Sequence, residues 1–243
     1  MELSSYKKMC EQQENHWWFK GRRKIIEFFL KKHSFKKQPE LLEIGCGPGG
    51  NLELLKKFGN VFAVEMNSYA INEAKKHSDI LIERGSLPDD LPFPDKPFDI
   101  ICLFDVLEHV EQDKQALQVI NTRLRAGGQL MITVPALPFI YGKHDTALHH
   151  YRRYDKQQLI KLLEQADFTI QELSYFNTLL LPLAMFARLL DKTLKRADST
   201  GLNSPPALIN KMFFKIFSFE VFLMKYLKLP LGLSMFCAAK KNG

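Results

Sequence analysis

A glycine-rich turn at residues 45–50 constrains the fold of this chain more than any other sequence feature. It follows a largely apolar run at 41–44, typical of a buried strand, and precedes a stretch with helical spacing. Gly45 and Gly47 lack a Cβ, so the backbone can turn sharply there and a ligand can lie against it. Glu65 closes the next apolar run, about 20 residues further on, where an acid typically binds ribose hydroxyls. The pattern predicts a unit that binds an adenosine-containing cofactor.

Glu43 indicates which kind of cofactor this unit binds. It lies two residues before Gly45, at the end of the predicted strand. A carboxylate at that place attracts an ammonium group and repels a pyrophosphate. Gly45, Gly47 and Gly50 also satisfy the G-x-G-x-x-G spacing of dinucleotide-binding proteins, but that spacing alone is weak evidence. The sequence therefore favours a cationic cofactor over NAD.

Strands and helices are predicted to alternate along most of the chain, after helical spacing near the N-terminus. The apolar runs expected to form strands lie at 41–45, 61–65, 80–84, 99–104, 129–134 and 169–175. The stretches expected to form helices between them lie at 51–58, 68–77, 112–124 and 156–166. Such alternation requires crossover connections, which predicts an α/β fold with a mostly parallel sheet.

Three motifs together resemble one enzyme family. The E-x-G-x-G-x-G pattern of 43–49 resembles motif I of the class I (Rossmann-like) S-adenosylmethionine-dependent methyltransferases. Residues 98–110 resemble that family's fourth strand and the loop after it, and residues 124–135 its fifth strand, with Ala126 where the family usually has proline. The resemblance covers roughly residues 38–135. It implies a methyltransferase that uses S-adenosylmethionine and releases S-adenosylhomocysteine.

The resemblance also implies a domain organisation. We expect a doubly wound, mostly parallel seven-stranded sheet with an antiparallel edge strand, formed by residues 38–176 and 230–243. Residues 1–37 are expected to form an N-terminal helical cap. Residues 177–229 stand where the family has a short turn, so they are predicted to be a helical insertion, with helices at 179–194 and 207–227 joined by residues 198–206.

Cofactor-binding residues follow from the same resemblance. Glu65 is expected to bind the ribose, and Met66 to lie on the adenine or in the core. Trp18 and Arg22 belong to a segment similar to the cap of ubiquinone-type O-methyltransferases; they either cover the cofactor or anchor an amphipathic helix. Ser86 stands where many relatives place an acid that meets adenine. The predicted cofactor-binding residues are Trp18, Arg22, Glu43, Gly45, Cys46, Gly47, Glu65, Met66, Ser86, Leu87, Asp105 and Val106.

Histidines near the ends of the fourth and fifth strands are the candidate bases. Ligands of open parallel sheets lie beyond the carboxyl ends of the strands, where His109 is expected, either as a base or as a residue that holds the loop by hydrogen bonds. His144 and His149 lie in the polar segment 141–154, which is interpreted either as a substrate lid or as a loop held by Arg–Asp pairs. No metal site is predicted, because the spacing in this segment matches no known metal signature. The candidate catalytic residues are His109, His144 and His149.

The acceptor and partners are less constrained by the sequence. The net charge is +7, but the lysines are dispersed, and no nucleobase-methyltransferase motif follows the fourth strand, so no specific nucleic acid is expected. We expect a small-molecule or lipid-type acceptor, methylated at oxygen. An RNA or protein methyltransferase and a non-catalytic S-adenosylmethionine-binding module are the alternatives.

The cellular location is inferred from what the chain lacks. Four scattered cysteines, no signal-peptide pattern and no uninterrupted apolar run of about 18 residues predict a cytoplasmic protein. The second insertion helix is apolar on more than one face, which a homodimer partner, an apolar acceptor or the inner face of a membrane would cover.

Overall fold

A seven-stranded sheet forms the centre of the protein in the computed structural model, which describes residues 2–33, 37–194 and 203–242. The strand order is β3-β2-β1-β4-β5-β7-β6, and β7 is antiparallel to both of its neighbours. The strands are β1 (Glu40–Ile44), β2 (Asn60–Glu65), β3 (Leu81–Arg84), β4 (Phe98–Phe104), β5 (Leu124–Pro135), β6 (Phe168–Phe176) and β7 (Ser234–Lys241). The predicted fold class is confirmed, except that the antiparallel strand β7 lies one position in from the edge, which β6 occupies.

Helices cover both faces of this sheet. The helices are α1 (Leu3–Gln12), α2 (Trp17–Lys32), α3 (Leu52–Leu55), α4 (Ser68–Lys75), α5 (Asp113–Arg123), α6 (Lys143–Ala147), α7 (Lys156–Glu164), α8 (Leu181–Leu194) and α9 (Ala207–Met224). Short 3₁₀ turns lie at Leu107–His109 and Pro138–Ile140. Within the described ranges, no helix is long and apolar enough to cross a membrane.

The central strands are apolar on both faces because helices cover both. In β1, Leu42 and Ile44 belong to the core on one side of the sheet, while Leu41 belongs to the core on the other. Such two-sided burial produces continuous apolar runs, which is why these strands were readable from the sequence. Glu43 is the exception, a carboxylate that is fully buried in the middle of the run.

The helix after the glycine-rich turn is shorter than predicted. The sequence pattern indicated a helix over 51–58, but α3 spans only Leu52–Leu55. The amides of Lys57 and Phe58 bond to carbonyls three residues back, so the chain tightens into a turn after α3. Because α3 is so short, its dipole contributes little to the binding of a ligand. The glycine-rich turn itself must therefore supply the binding surface.

The insertion between β6 and β7 packs against the N-terminal cap. Helices α8 and α9 confirm the two predicted helices, whereas part of the predicted linker, residues 198–202, lies outside the described ranges. Trp17 and Trp18 of α2 contact the ring of Phe217 in α9, with centroids 5.8 and 5.5 Å away. A Cβ at Gly21 would overlap the Phe217 ring, so the two helices approach closely at that point.

Glu220 joins α9 to the end of β6. It is fully buried, and its two carboxylate oxygens accept hydrogen bonds from the amides of Asn177 (2.6 Å) and Leu179 (2.7 Å). These amides follow β6 and lack a strand partner, so the carboxylate replaces the missing acceptors. The sheet and the insertion are therefore joined by a buried polar contact as well as by apolar packing.

Replacing Glu220 by Ala should lower the free energy of unfolding by about 2–5 kcal/mol, because two buried amides lose their acceptor. Urea unfolding followed by circular dichroism measures this. Glu164→Ala, at an exposed position of α7, is the matched control and should change the free energy of unfolding by less than about 0.5 kcal/mol. Equal effects of the two changes would contradict the structural role of Glu220.

Candidate active site

The candidate site lies beyond the carboxyl ends of β1, β2 and β4. The strand order reverses between β1 and β4, which opens the crevice where ligands of such sheets bind. Gly45 and Gly47 adopt φ values of +73° and +55°, which residues with a side chain rarely adopt. A Cβ at Gly45 would lie 2.5 Å from Cγ2 of Val106, so the turn after β1 contacts the loop after β4. The predicted role of glycine in this turn has a clear steric basis.

Glu65 organises the floor of this crevice from the end of β2. Its carboxylate accepts hydrogen bonds from the amides of Gly47 and Asn67, both at 2.8 Å, and from the hydroxyl of Tyr6 at 3.2 Å. Tyr6 belongs to α1, so the cap contacts the glycine-rich turn directly. Burial and the neighbouring Glu65 carboxylate raise the pKa of Tyr6. The sequence did not reveal Tyr6, because a single tyrosine in a helix carries no signal for a contact 59 residues away.

Glu43 and Arg22 each leave one buried polar atom without a hydrogen bond. Oε1 of Glu43 accepts from the Asn51 amide at 2.7 Å, whereas Oε2 has no partner in the described structure. Arg22 pairs with Asp105 through Nη1, which also reaches the carbonyl of Phe104 at 3.4 Å, whereas its Nε has no partner. Unpaired buried polar groups are costly, and a bound ligand is one way in which proteins compensate them.

The chemistry of these two atoms fits an amino acid. An unpaired carboxylate oxygen suits an ammonium group, and an unpaired guanidinium N–H suits a carboxylate. Burial raises the pKa of Glu43 to about 7, and the positive charge of Arg22 opposes that shift. The methionine end of S-adenosylmethionine carries both complementary charges, so the unpaired atoms of Arg22 and Glu43 fit that part of the cofactor.

Other predicted cofactor-binding residues lie around the same crevice. Met66 follows Glu65 and is 60% exposed, so it is available to a ligand and does not pack in the core. Cys46 is buried in the glycine-rich turn. Ser86 and Leu87 lie in the turn after β3, where the amide and carbonyl of Ser86 bond to Asp90. Their contacts with a cofactor stay predictions.

Trp18 lies in the contact between the cap and the insertion. Its ring stacks on Phe176 and Phe217, with centroids 6.3 and 5.5 Å away. The anchoring alternative for this segment therefore has direct support, and the predicted contact of Trp18 with the cofactor stays a prediction. Arg22, one turn later on the same helix, points to the end of β4 instead. The two residues that the resemblance paired thus have different surroundings.

A carboxylate and a histidine follow Asp105 in the loop after β4. Glu108 is fully buried, and neither of its carboxylate oxygens has a hydrogen-bond partner in the described structure. Burial and the charge of Asp105 raise its pKa. Burial, and then the charge of His150, lower the pKa of His109 to about 4, so His109 is uncharged at neutral pH. The loop presents an uncharged imidazole beside a buried carboxyl group.

The polar segment 141–154 packs on this loop. Asp145 is fully buried, accepts from Nε of Arg153 at 2.7 Å, and lies 3.1 Å from Nδ1 of His150. Arg152 pairs with Asp113 at 2.6 Å. The Arg–Asp pairs of the held-loop alternative are therefore present. The amide of Tyr151 also bonds to the carbonyl of Glu108 at 2.8 Å, which fixes the segment against the loop after β4.

The structure places His150, rather than His144 or His149, beside His109. The rings of His109 and His150 lie 4.7 Å apart and nearly perpendicular. His149 is exposed and reaches His109 only through its carbonyl oxygen, 3.3 Å from Nδ1. His144 lies in α6. Sequence reasoning missed His150 because three histidines occur within seven residues, and the fold alone decides which one faces the loop after β4.

Comparison with known proteins agrees with this geometry. A family model described as a methyltransferase domain matches residues 15–173. A probable S-adenosylmethionine-dependent methyltransferase of Mycolicibacterium smegmatis is 26% identical over 164 residues, which are 65% of this chain and 62% of that protein. The mitochondrial ubiquinone biosynthesis O-methyltransferase of Schizosaccharomyces pombe is 29% identical over 123 residues, which are 45% of this chain and 42% of that protein. This chain spans between 56% and 62% of the length of its mycobacterial relatives.

Solved structures share the fold at low sequence identity. The Haloferax volcanii complex of the Trm112 methyltransferase activator with a putative methyltransferase gives a TM-score of 0.62 at 15% identity, covering 99% of this chain and 94% of that chain. The phosphoethanolamine N-methyltransferase 2 of Haemonchus contortus gives 0.58 at 16% identity, covering 90% and 52%. Since the family model extends over most of this chain, and its sheet has the expected strand order, the protein belongs to the class I S-adenosylmethionine-dependent methyltransferases.

Proposed function

We infer that this enzyme transfers the methyl group to an oxygen atom of a small-molecule or lipid-type acceptor. The observation that supports an oxygen acceptor is the cluster of Glu108, His109 and His150 beyond β4, because a hydroxyl must lose its proton before it is methylated. His109, the candidate base from the sequence, belongs to this cluster. The apolar surface of α8 and α9 supports an acceptor with a lipid-like part.

The chain's own residues hold and align the reactants. The cofactor supplies an activated methyl group on a sulfonium. Arg22 and Glu43 would bind its methionine end, and Glu65 its ribose. Asp105 and Val106 lie between the end of β4 and the cluster of Glu108, His109 and His150. They would therefore lie beside the reacting groups. Alignment of two reactants can supply about 7–11 kcal/mol of the reduction in the activation barrier.

The insertion presents a large exposed apolar surface with lysines beside it. Its exposed apolar side chains include Leu183, Met185, Phe186, Leu208, Met212, Phe219, Phe222, Tyr226 and Leu227. Exposed lysines on or just after α9 are Lys211, Lys215, Lys225 and Lys228. Aromatic rings combined with lysines are typical of helices that lie in the interface of an anionic bilayer. Peripheral contact with such a bilayer would bring a lipid-type acceptor to the enzyme.

Glu65→Gln should weaken the binding of S-adenosylhomocysteine by about 1.5–3 kcal/mol, because a neutral amide replaces a charged acceptor of ribose hydrogen bonds. Isothermal titration calorimetry measures this. Glu83→Gln, at an exposed position of the neighbouring strand β3, should leave the dissociation constant unchanged. Unchanged affinity in Glu65→Gln would show that another residue holds the ribose, and tight binding of NAD would refute the cofactor assignment.

Cofactor binding should strengthen between pH 5.5 and 7.5. The pKa of Glu43 is raised to about 7, so this carboxyl is largely protonated at pH 5.5. Its contribution to the stability of the free protein is fully present below the ordinary carboxyl pKa and is lost as the pH rises through 7. The ammonium of the ligand needs the ionised form, so affinity for S-adenosylhomocysteine should rise by up to about tenfold per pH unit below 7.

The matched variant for this pH dependence is Glu43→Gln, which cannot ionise. Calorimetric titrations at several pH values should give a flat profile for this variant over the same range. A wild-type profile that is equally flat would show that Glu43 does not meet the ammonium group.

The apolar surface of the insertion should bind anionic vesicles. The protein should sediment with phosphatidylglycerol-containing vesicles at low salt and be released at high salt, because the lysine contribution is screened. Phe222→Glu should reduce the bound fraction, whereas Leu81→Glu, an exposed apolar position on the distant edge strand β3, should not. A protein that stays in the supernatant at both salt concentrations, with a dimeric mass in light scattering, would identify the surface as a dimer contact.

A further inference from the structure

We propose that Glu108, His109 and His150 bind a divalent metal ion of the zinc type, which holds and acidifies the hydroxyl of the acceptor. The inference rests on the proposed transfer to oxygen. One ligand atom from each of the three side chains lies within 4.8 Å of the other two, so small side-chain movements bring all three around one ion. The sequence did not predict this site, because His150 is brought to the other two residues only by the fold.

The carboxylate of Glu108 is the strongest sign of a cation site. It is fully buried, and both of its oxygens lack a hydrogen-bond partner in the described structure. The nearest guanidinium groups are committed elsewhere: Arg22 pairs with Asp105, and Arg153 pairs with Asp145. A buried carboxyl group without hydrogen bonds costs several kcal/mol, and a bound cation removes that cost.

Both histidines are oriented as metal ligands are. Nδ1 of His109 lies 3.3 Å from the carbonyl oxygen of His149, and Nδ1 of His150 lies 3.1 Å from Oδ1 of Asp145. Donation from Nδ1 to an oxygen leaves the lone pair on Nε2, and histidines that bind metal ions make this hydrogen bond almost always. The rings are 4.7 Å apart, so both can direct Nε2 to the same ion.

Asp145 is itself fixed, which a supporting carboxylate must be. Besides His150, it accepts from Nε of Arg153 at 2.7 Å and from the amide of Gly142 at 3.0 Å. Arg153 donates in turn to the carbonyl of Ala136 at the end of β5. The segment 141–154 therefore positions His150 rigidly, which explains why so many charged residues of this loop bond to one another.

Three protein ligands leave a coordination position open. Two histidines and one glutamate with a free position are typical of catalytic zinc sites, where the ion lowers the pKa of a bound oxygen. The site lies at the end of β4, three residues from Asp105, which pairs with Arg22 of the cofactor crevice. A hydroxyl at the open position loses its proton to solvent, and its oxygen then attacks the methyl carbon. The new C–O bond forms as the C–S bond breaks, with the electron pair of that bond passing to sulfur.

The test uses the purified full chain, freed of metal with a chelator and titrated with Co²⁺ and Zn²⁺. We expect equimolar binding of either ion, with visible absorption of Co²⁺ typical of a site with nitrogen and oxygen ligands. Glu108→Gln and His150→Ala should each weaken binding at least tenfold, and Asp145→Asn should weaken it about 10–100-fold through His150. His77→Ala, an exposed histidine of the segment after α4, is the control and should leave affinity unchanged.

S-adenosylhomocysteine titration of the same samples separates the two hypotheses. Wild-type protein that binds this ligand but takes up neither ion would overturn the metal site and leave the proposed function intact. Protein that binds neither would contradict both. Circular dichroism melting shows whether a variant is folded, and if Glu108→Gln does not fold, the stoichiometry of the wild-type protein and the affinity of His150→Ala decide. Metal binding that survives both substitutions would place the ion elsewhere and refute the assignment.

Discussion

The ion pair between Arg22 and Asp105 connects the N-terminal cap to the end of β4. Only 12% and 21% of these two side chains are exposed, so removing either would leave its partner mostly buried without a counter-charge. The same guanidinium reaches the carbonyl of Phe104, and its Nε has no partner in the described structure. This contact therefore joins the cap both to the end of β4 and to the loop that carries Glu108 and His109.

Acidic groups concentrate in the site although the whole protein is basic. Glu43, Glu65, Glu108 and Asp145 are all buried near the carboxyl ends of the strands, whereas the net charge is +7. Burial of carboxylates is unfavourable unless hydrogen bonds or cations compensate it. Glu65 and Asp145 have that compensation from within the chain, whereas one oxygen of Glu43 and both oxygens of Glu108 lack a hydrogen bond in the described structure. The two undercompensated groups are those for which we assign a cationic ligand.

The parts of the fold that could be predicted are those that local sequence determines. Strands β1, β2, β4 and β5 are buried on both faces, so they appear in the sequence as apolar runs. The turn at Gly45 and Gly47 requires residues without a Cβ. Contacts between segments that are far apart in the sequence produce no such local pattern. Tyr6 meets Glu65, Trp18 stacks on Phe217, and His150 approaches His109 only after the sheet has formed. The extent of α3 was wrong because the pattern could not distinguish a helix from the tight turn that follows it.

The position of β7 has a consequence for how the protein reaches its native state. Although β7 is the last of the described strands along the chain, it lies between β5 and β6, and Phe236 stacks on Phe29 of α2 at 3.8 Å. Until residues 234–241 have been synthesised and released from the ribosome, β6 has no neighbour among the described strands, and α2 lacks part of its contact surface. Contacts of such large sequence separation form slowly. The packing of helix α2 against the sheet is therefore completed only after β7 has formed. Until then the nascent chain exposes apolar sheet surface.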